Sequence, residues 1–329
     1  MPDRKIYLCV TDGCNLACKG CYKYTTQDQV DLPKFLNLNK AKQYLDNIIK
    51  LYPEDNIYCT FHGGEPFYTG DISKYIDLIN NYSNIKNMYW SATTNLIYNI
   101  STEHIKLFGL FKDKFFKTSW DVEDYRFRNI SQKELWENNI KYLLSLGFLI
   151  QPIITVNLQT IKHSPSELFE YFKYLGISTI NFERITETGR ASIIKVKPTN
   201  RQVDEWLWQA YIINKSKYNF HIPLFAELEY AKTNGFVGCR KRECMQTVRT
   251  INTDGSVGAC PNCADIYIID KTGQYNVDTE KDLILKEKTV TDTCMFCKYY
   301  NICNGDCCQL SFDETGCPGL IKIYQELNQ

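Results

Sequence analysis

Three cysteines, Cys14, Cys18 and Cys21, stand at Cys-x3-Cys-x2-Cys spacing in VTDGCNLACKGCYKY, directly after the apolar stretch from Ile6 to Val10. Cysteine thiolate is the usual ligand of iron–sulfur irons. Three thiolates in so short a loop can hold three corners of a [4Fe–4S] cube, and no fourth cysteine follows in the loop. The fourth iron would stay open to another ligand, which makes the loop a site for chemistry. Further on, FHGGEPFY places Gly63, Gly64, Glu65 and Pro66 at the end of a second apolar stretch. Residues without a Cβ let the backbone approach a ligand closely, and Glu65 offers a carboxylate to an ammonium group. Taken alone, that tetrapeptide reads by default as an ordinary strand-ending turn.

These loops need elements to position them. Strands are expected at 6–10, 57–62, 88–94, 115–121, 150–157 and 179–185, and helices near 39–51, 72–82, 102–111, 132–146 and 166–175. Asn39 and Ser101 suit helix N-caps, and Gly147 and Gly176 suit helix ends. Strands alternating with helices imply a parallel sheet, because parallel pairs need crossover connections. Six such units suit an α/β partial (β/α)6 TIM-like barrel, with its chemistry at the C-terminal strand ends. A helical stretch at 201–217 then leads into a cysteine-rich segment, and a last helix is expected at 320–327. The expected division is a barrel over residues 1–218 and a small cysteine-rich domain over 219–329.

Lys+Arg and Asp+Glu both number 38, so no net charge argues for nucleic acid or a membrane surface. No apolar run is long enough to span a bilayer, and the N-terminus lacks the pattern of a secretory signal. Fifteen cysteines without an export signal point to metal rather than to a disulfide framework. The Tyr and Phe content, 23 and 17 residues, reads as core packing.

The cysteine loop followed by GGEP resembles the radical S-adenosylmethionine (SAM) superfamily. The resemblance implies that Cys14, Cys18 and Cys21 hold a [4Fe–4S] cluster and that Gly63, Gly64, Glu65 and Pro66 hold the methionine amino group. It also implies SAM contacts from Ser119 and Asp121 in TSWDVEDYRFRN, from Arg128 in preference to Arg126, and from Asn157. One departure stands out. Relatives carry an aromatic residue just before the third cluster cysteine, where it packs on adenine; here that residue is Gly20, with Tyr22 on the other side of Cys21.

From Cys239 to Cys317 there are ten cysteines. Cys244 is followed by ten residues, Gly255, four residues and Cys260; then come Cys294-x2-Cys297-x5-Cys303-x3-Cys307 and Cys317. This order resembles the SPASM domain, which carries auxiliary iron–sulfur clusters in radical SAM peptide maturases. By that resemblance Cys239, Cys244, Cys260 and Cys307 hold one cluster, and Cys294, Cys297, Cys303 and Cys317 hold another. The spacing itself leaves open a single site made by Cys294, Cys297, Cys303 and Cys307, and a zinc ribbon also uses Cys-x2-Cys pairs. Cys9 and Cys59 read as small buried hydrophobes. Cys263 and Cys308 adjoin proposed ligands, and each reads as a spare ligand, a hydrogen-atom donor or a cysteine with no particular role.

The implied cofactors are three [4Fe–4S] clusters and SAM. The implied reaction is reductive cleavage of SAM, hydrogen abstraction by the 5′-deoxyadenosyl radical, and oxidation of the substrate through auxiliary clusters. The leading expectation is a maturase that crosslinks a ribosomally made peptide. The alternatives are a redox-neutral epimerase, an anaerobic sulfatase-maturating (formylglycine-forming) enzyme, and a non-enzymatic iron–sulfur or zinc module. The expected partners are a peptide or protein substrate and a flavodoxin- or ferredoxin-type electron donor. With about five residues ahead of the first strand, leader recognition is expected to fall to a separate protein or to the barrel and C-terminal region. Oxygen-sensitive clusters make a reducing cytoplasm the expected compartment.

Overall fold

The computed structural model describes residues 3–23, 33–68, 70–122, 125–241, 247–263, 268–270, 292–307 and 309–328. Strands β1 (Asp3–Thr11), β2 (Asn56–Gly63), β3 (Met88–Thr94), β4 (Phe115–Trp120), β5 (Leu149–Val156) and β6 (Asn181–Arg184) pair in parallel, each with the next in sequence. Helices α1 (Leu38–Leu51), α2 (Ile72–Asn80), α3 (Thr102–Gly109), α4 (Ile130–Ser145) and α5 (Pro165–Tyr174) connect them. The expected partial barrel is the architecture found.

Alternation along the strands explains both the core and the cavity. On β2, Ile57, Cys59 and Phe61 are buried while Tyr58, Thr60 and His62 are half-exposed; β3 and β4 repeat the pattern. The buried set packs against the helices: Phe61 meets Tyr75 of α2 at 5.2 Å, and Phe108 of α3 meets Phe116 at 5.0 Å between ring centroids. The other set is polar and lines an internal cavity. Closed eight-stranded barrels fill that space with branched apolar side chains; this chain keeps it open. Trp136 of α4 is fully buried and donates from Nε1 to Thr118 Oγ1 at 3.0 Å. Trp136→Ala is expected to cost about 3–5 kcal/mol in urea unfolding. A loss below about 1 kcal/mol would mean that α4 is not seated on the sheet in this way.

Several boundaries differ from expectation. Asn37, not Asn39, caps α1, its side chain accepting from the Asn39 and Lys40 N–H groups at 3.0 and 3.3 Å. Ser101 caps α3 in a capping box with His104, as expected of that serine, and Gly147 and Gly176 both take φ of +80° after their helices. After α6 (Ala191–Ile194) and α7 (Asn200–Ile213) comes α8 (Pro223–Asn234), which the sequence pattern did not reveal.

The cysteine-rich region is joined to the barrel by its backbone. Strand β7 (Val248–Ile251) lies parallel to β1 on the edge away from β2, and β8 (Val257–Gly258) and β9 (Ile268–Asp270) follow antiparallel. The described sheet thus has nine strands, ordered β6-β5-β4-β3-β2-β1-β7-β8-β9, and runs across the expected division at 218/219. Short helices α9 (Asp292–Met295) and α10 (Tyr300–Cys303) precede α11 (Ile321–Leu327), which docks on α7 through Lys322 N–H to Asp204 at 3.1 Å.

Between Cys303 and Cys307 the residues Asn304, Gly305 and Asp306 all take positive φ, at 47°, 71° and 50°. A single Asn or Asp tolerates that region; three in a row need outside support. Arg184 of β6 supplies it, holding both Asp306 oxygens at 2.9 and 2.7 Å, and Arg240 adds a third contact at 3.3 Å.

Candidate active site

The cluster loop sits over the C-terminal ends of the strands and is fastened from several of them. Gly64 N–H donates to Thr11 O and Glu65 N–H to Gly13 O, both at 2.8 Å, so the GGEP turn is sewn to the residues ahead of Cys14. Gly63 makes this possible: it takes φ of +135°, and a Cβ there would collide with the Thr11 carbonyl oxygen. Asn15 donates to Ile97 O at 2.6 Å, Lys19 N–H donates to Tyr125 O at 3.1 Å, and Arg190 grips the loop twice, from N–H to Cys21 O and from Nη1 to Cys18 O, each at 2.8 Å.

Within that loop Cys14, Cys18 and Cys21 all line a cavity of about 890 Å³, near the top of the range of roughly 300–1,000 Å³ usual for small-molecule sites. Burial pushes the Cys14 thiol up to about 12, with Glu65 adding to it. Burial likewise raises Cys18 to about 11, although Arg126 opposes it. Thiols so placed are poor free nucleophiles; bound metal deprotonates a thiol outright, so the donor set fits iron. Among the described residues no three His, Cys, Asp or Glu side chains converge on a single-ion site. A cube gives each thiolate its own iron and does not require such convergence.

Glu65 is buried and accepts from Thr94 Oγ1 at 2.6 Å, Asn95 N–H at 2.5 Å and Phe67 N–H at 3.3 Å. Burial raises its carboxyl to about 7 against those donors. A cation beside it would draw it back to the charged form. Gly63, Gly64 and Glu65 line the cavity; Pro66 is buried and closes the turn without being part of the lining. Ser119, Asp121 and Tyr22 also line it, and the Tyr22 hydroxyl lies 3.1 Å from His62 Nδ1.

Two expected SAM contacts are placed elsewhere. Arg128 is exposed, with its N–H bonded to Gln132 at 2.8 Å, because Phe127 turns inward onto Trp136 and sends its neighbour out. Arg126 takes the cavity position, pairing with Asp121 Oδ2 at 2.9 Å. Burial raises Asp121 to about 6 against that pairing, while Cys18 and Asp121 hold the Arg126 charge against burial. Asn157 is fully buried and outside the lining; it donates to Asp121 Oδ1 at 3.4 Å and accepts from Gln159 and Thr160 N–H. It supports Asp121 from behind.

Other cavity residues were not anticipated from the sequence. His62, kept neutral by burial at about 3, Lys117 of β4 and Glu183 of β6 all face inward. Glu183 is raised by burial, with Lys117 opposing. The signal was available in the period-two spacing of Lys117, Ser119 and Asp121.

Cys239, Cys260 and Cys307 line the same cavity. Cys239 is exposed; its thiol is raised first by a hydrogen bond with the neighbouring Cys307 thiol, then by burial. Burial also raises Cys317, with Cys294 and Cys297 adding to it, and Cys303 lies beside Cys317 at the Gly319 turn. The structure therefore brings Cys239 next to Cys307, and Cys317 next to Cys294, Cys297 and Cys303. Cys244 and Cys308 lie outside the described residues, and the Cys263 side chain is likewise undescribed. Cys9 and Cys59 are buried in their strands.

No curated protein sequence matches the chain. A family described as a 4Fe–4S single cluster domain matches residues 5–129. Among solved structures, anSMEcpe with bound AdoMet and a Cp18Cys peptide is similar at 18% identity and a TM-score of 0.76, covering 99% of this chain and 96% of that one. Streptococcus suis SuiB bound to its precursor peptide SuiA is similar at 16% identity and a TM-score of 0.65, covering 93% and 72%. Bound to S-adenosylmethionine, SuiB gives 15% and 0.62, covering 93% and 73%. The chain thus matches a 4Fe–4S family over residues 5–129 and these solved structures in fold over nearly all of its length.

Proposed function

We propose that this chain is a radical SAM peptide maturase that oxidises its substrate, with an intramolecular crosslink as the leading product. The observation that carries the reading is that one cavity is lined both by Cys14, Cys18 and Cys21 and by Cys239, Cys260 and Cys307. Similar structures hold a peptide in complex, Cp18Cys in one and SuiA in the other. A segment of extended peptide between the two cysteine sets would lie against His62, Lys117 and Glu183.

When bound, the loop cluster and SAM supply a carbon-centred radical able to take hydrogen from an unactivated C–H. The chain's own residues do the holding. Cys14, Cys18 and Cys21 would hold the loop cluster; Glu65 and the Gly63–Gly64 backbone would receive the SAM ammonium, and Arg126 would be the cation for its carboxylate. Asp121 orients Arg126, and Asn157 orients Asp121. Cys239, Cys244, Cys260 and Cys307, and Cys294, Cys297, Cys303 and Cys317, would hold two auxiliary clusters, which would supply an acceptor for the electron the substrate gives up. An external flavodoxin- or ferredoxin-type donor supplies the starting electron, and a separate protein is the expected carrier of a leader. Among the described residues no helix is long and apolar enough to cross a membrane.

The test is anaerobic reconstitution, reduction and SAM, with a short peptide encoded beside this chain, in deuterated water. Formation of 5′-deoxyadenosine with loss of two hydrogens from the peptide is the expected result. A peptide of unchanged composition carrying one deuterium would replace this reading with epimerisation by Cys308 or Cys263. A hydrazine-reactive aldehyde would replace it with formylglycine formation, and absence of 5′-deoxyadenosine would leave only a metal-binding module.

A further inference from the structure

A substrate that loses two hydrogens gives up a proton as well as an electron, so the cavity needs a base. Most acidic groups in its wall are already engaged. Glu65 accepts from Thr94, Asn95 and Phe67, Asp121 pairs with Arg126, and Asp306 is held by Arg184 and Arg240. Glu227 of α8 lies 3.7 Å from Arg240. Asp3 and Asp113 belong to the far, N-terminal ends of β1 and β4. His62 meets the Tyr22 hydroxyl through Nδ1, and burial, with Lys23 and Lys117 adding to it, keeps its ring neutral. Glu183 is different. It is exposed, lines the cavity and makes no ion pair among the described residues. The hydrogen bond it accepts there comes from Asn181 Nδ2 at 3.4 Å, which leaves most of the carboxylate's acceptor capacity unused.

Its position suits the task. Trp120 pairs with Ile154, and Ile154 with Phe182. One residue further along each strand stand Asp121, Thr155 and Glu183, so Glu183 is level with the carboxylate that holds Arg126. From β1, Tyr7 faces the same space: burial raises its hydroxyl first, and the charges of Cys260, Glu183 and Cys239 add to it. Glu183 thus shares one part of the cavity with Asp121 and Arg126 and with Cys239 and Cys260. Burial raises its carboxyl, with Lys117 of β4 opposing, which makes the carboxylate a stronger base than one in water.

We propose that Glu183 is the base that takes up the proton released when the substrate is oxidised. The inference rests on the oxidative reading of the proposed function. One hydrogen atom leaves a substrate carbon for the 5′-deoxyadenosyl radical and appears in 5′-deoxyadenosine. A new bond then forms from that carbon to a neighbouring N, O, S or C atom, whose own bond to hydrogen breaks. The proton goes to a Glu183 oxygen, and the remaining electron goes to an oxidised iron–sulfur cluster. The substrate has then lost two hydrogens, one as an atom and one as a proton and an electron.

The peptide of the preceding test, deuterated at carbon, decides it in a single turnover with the reconstituted holoprotein. In Glu183→Gln, deuterium is expected to pass into 5′-deoxyadenosine at the wild-type level, with peptide Kd and iron per chain unchanged. The product lacking two hydrogens is expected to form about 100- to 10,000-fold more slowly, the range for removing a positioned base. Product at the wild-type rate in Glu183→Gln would overturn the proposal. So would deuterium transfer that falls together with peptide affinity, which would make Glu183 a group that holds the peptide. Should Glu183→Gln fail to fold, Glu183→Asp decides, because it withdraws the carboxylate by one methylene. Product slowed about 10- to 100-fold with deuterium transfer intact supports the proposal; both at the wild-type rate, or both lowered alike, overturns it. A wild-type protein that yields no product lacking two hydrogens would overturn the oxidative reading instead.

Discussion

Cys18→Ala is expected to reduce 5′-deoxyadenosine formation to background and to remove the loop cluster, about four iron atoms per chain. Cys18 is the middle member of the loop, and its backbone is held independently of its thiol: Arg190 Nη1 binds its carbonyl at 2.8 Å, and Lys19 next to it binds Tyr125 O. Alanine therefore keeps the loop in place and removes only the sulfur. Iron and sulfide analysis beside a 5′-deoxyadenosine assay checks the result, with Cys59→Ala as the control. Cys59 is fully buried in β2 against the helices, far from any metal role, so its replacement should leave iron content untouched. Retained iron and turnover in Cys18→Ala would remove this loop from the chemistry altogether.

Asp306→Ala is expected to cost about 3–5 kcal/mol, because it leaves buried guanidinium groups without their carboxylate. Asp306 is 1% exposed; Arg240 beside it is almost as deeply placed, at 2%, and Arg184 is mostly buried, at 12%. Burial alone would push its carboxyl up; the two arginines, Arg184 first, hold it well below the ordinary range. Removing the carboxylate leaves Arg240 with a 3.7 Å contact to Glu227 and Arg184 with the Pro318 carbonyl. The same carboxylate accepts from Cys307 N–H at 2.7 Å, so the turn carrying Cys307 loses its anchor too. Anaerobic urea unfolding of the holoprotein reads the stability. An unchanged midpoint would mean that the buried charges are offset elsewhere and that the left-handed run at 304–306 stands without them.

What could be read from the chain in advance was local. The cysteine loop, the GGEP turn and the strands before them are short-range patterns in which spacing and alternation carry the information. Arg126 against Arg128 is a different kind of question. Both follow Asp121 closely, and which one turns inward depends on Phe127 finding Trp136, a contact between separate elements. Asn157 had the chemistry of a ligand contact, but its side chain was claimed by the turn after β5. Gly20 does not announce what fills the space beside it, where a Cβ would collide with the Tyr125 hydroxyl. Helix α8 went unseen because its pattern is only weakly amphipathic and it begins at Pro223, without a side-chain cap. The joining of β7 to β1 depends on residues some 240 positions apart, and no local pattern encodes it.

That last pairing has a consequence for how the protein comes into being. During synthesis β1 emerges first, yet the edge it shares with β7 stays bare until residues 248–251 have been made. Contacts of such sequence separation form slowly, and an unpaired edge carrying Ile6, Leu8 and Val10 invites association with other chains in the meantime. The cluster loop hangs from the end of that same strand. Loop cysteines and C-terminal cysteines therefore come to line one cavity only when residues 248–251 have closed the sheet, so the site is completed late in folding.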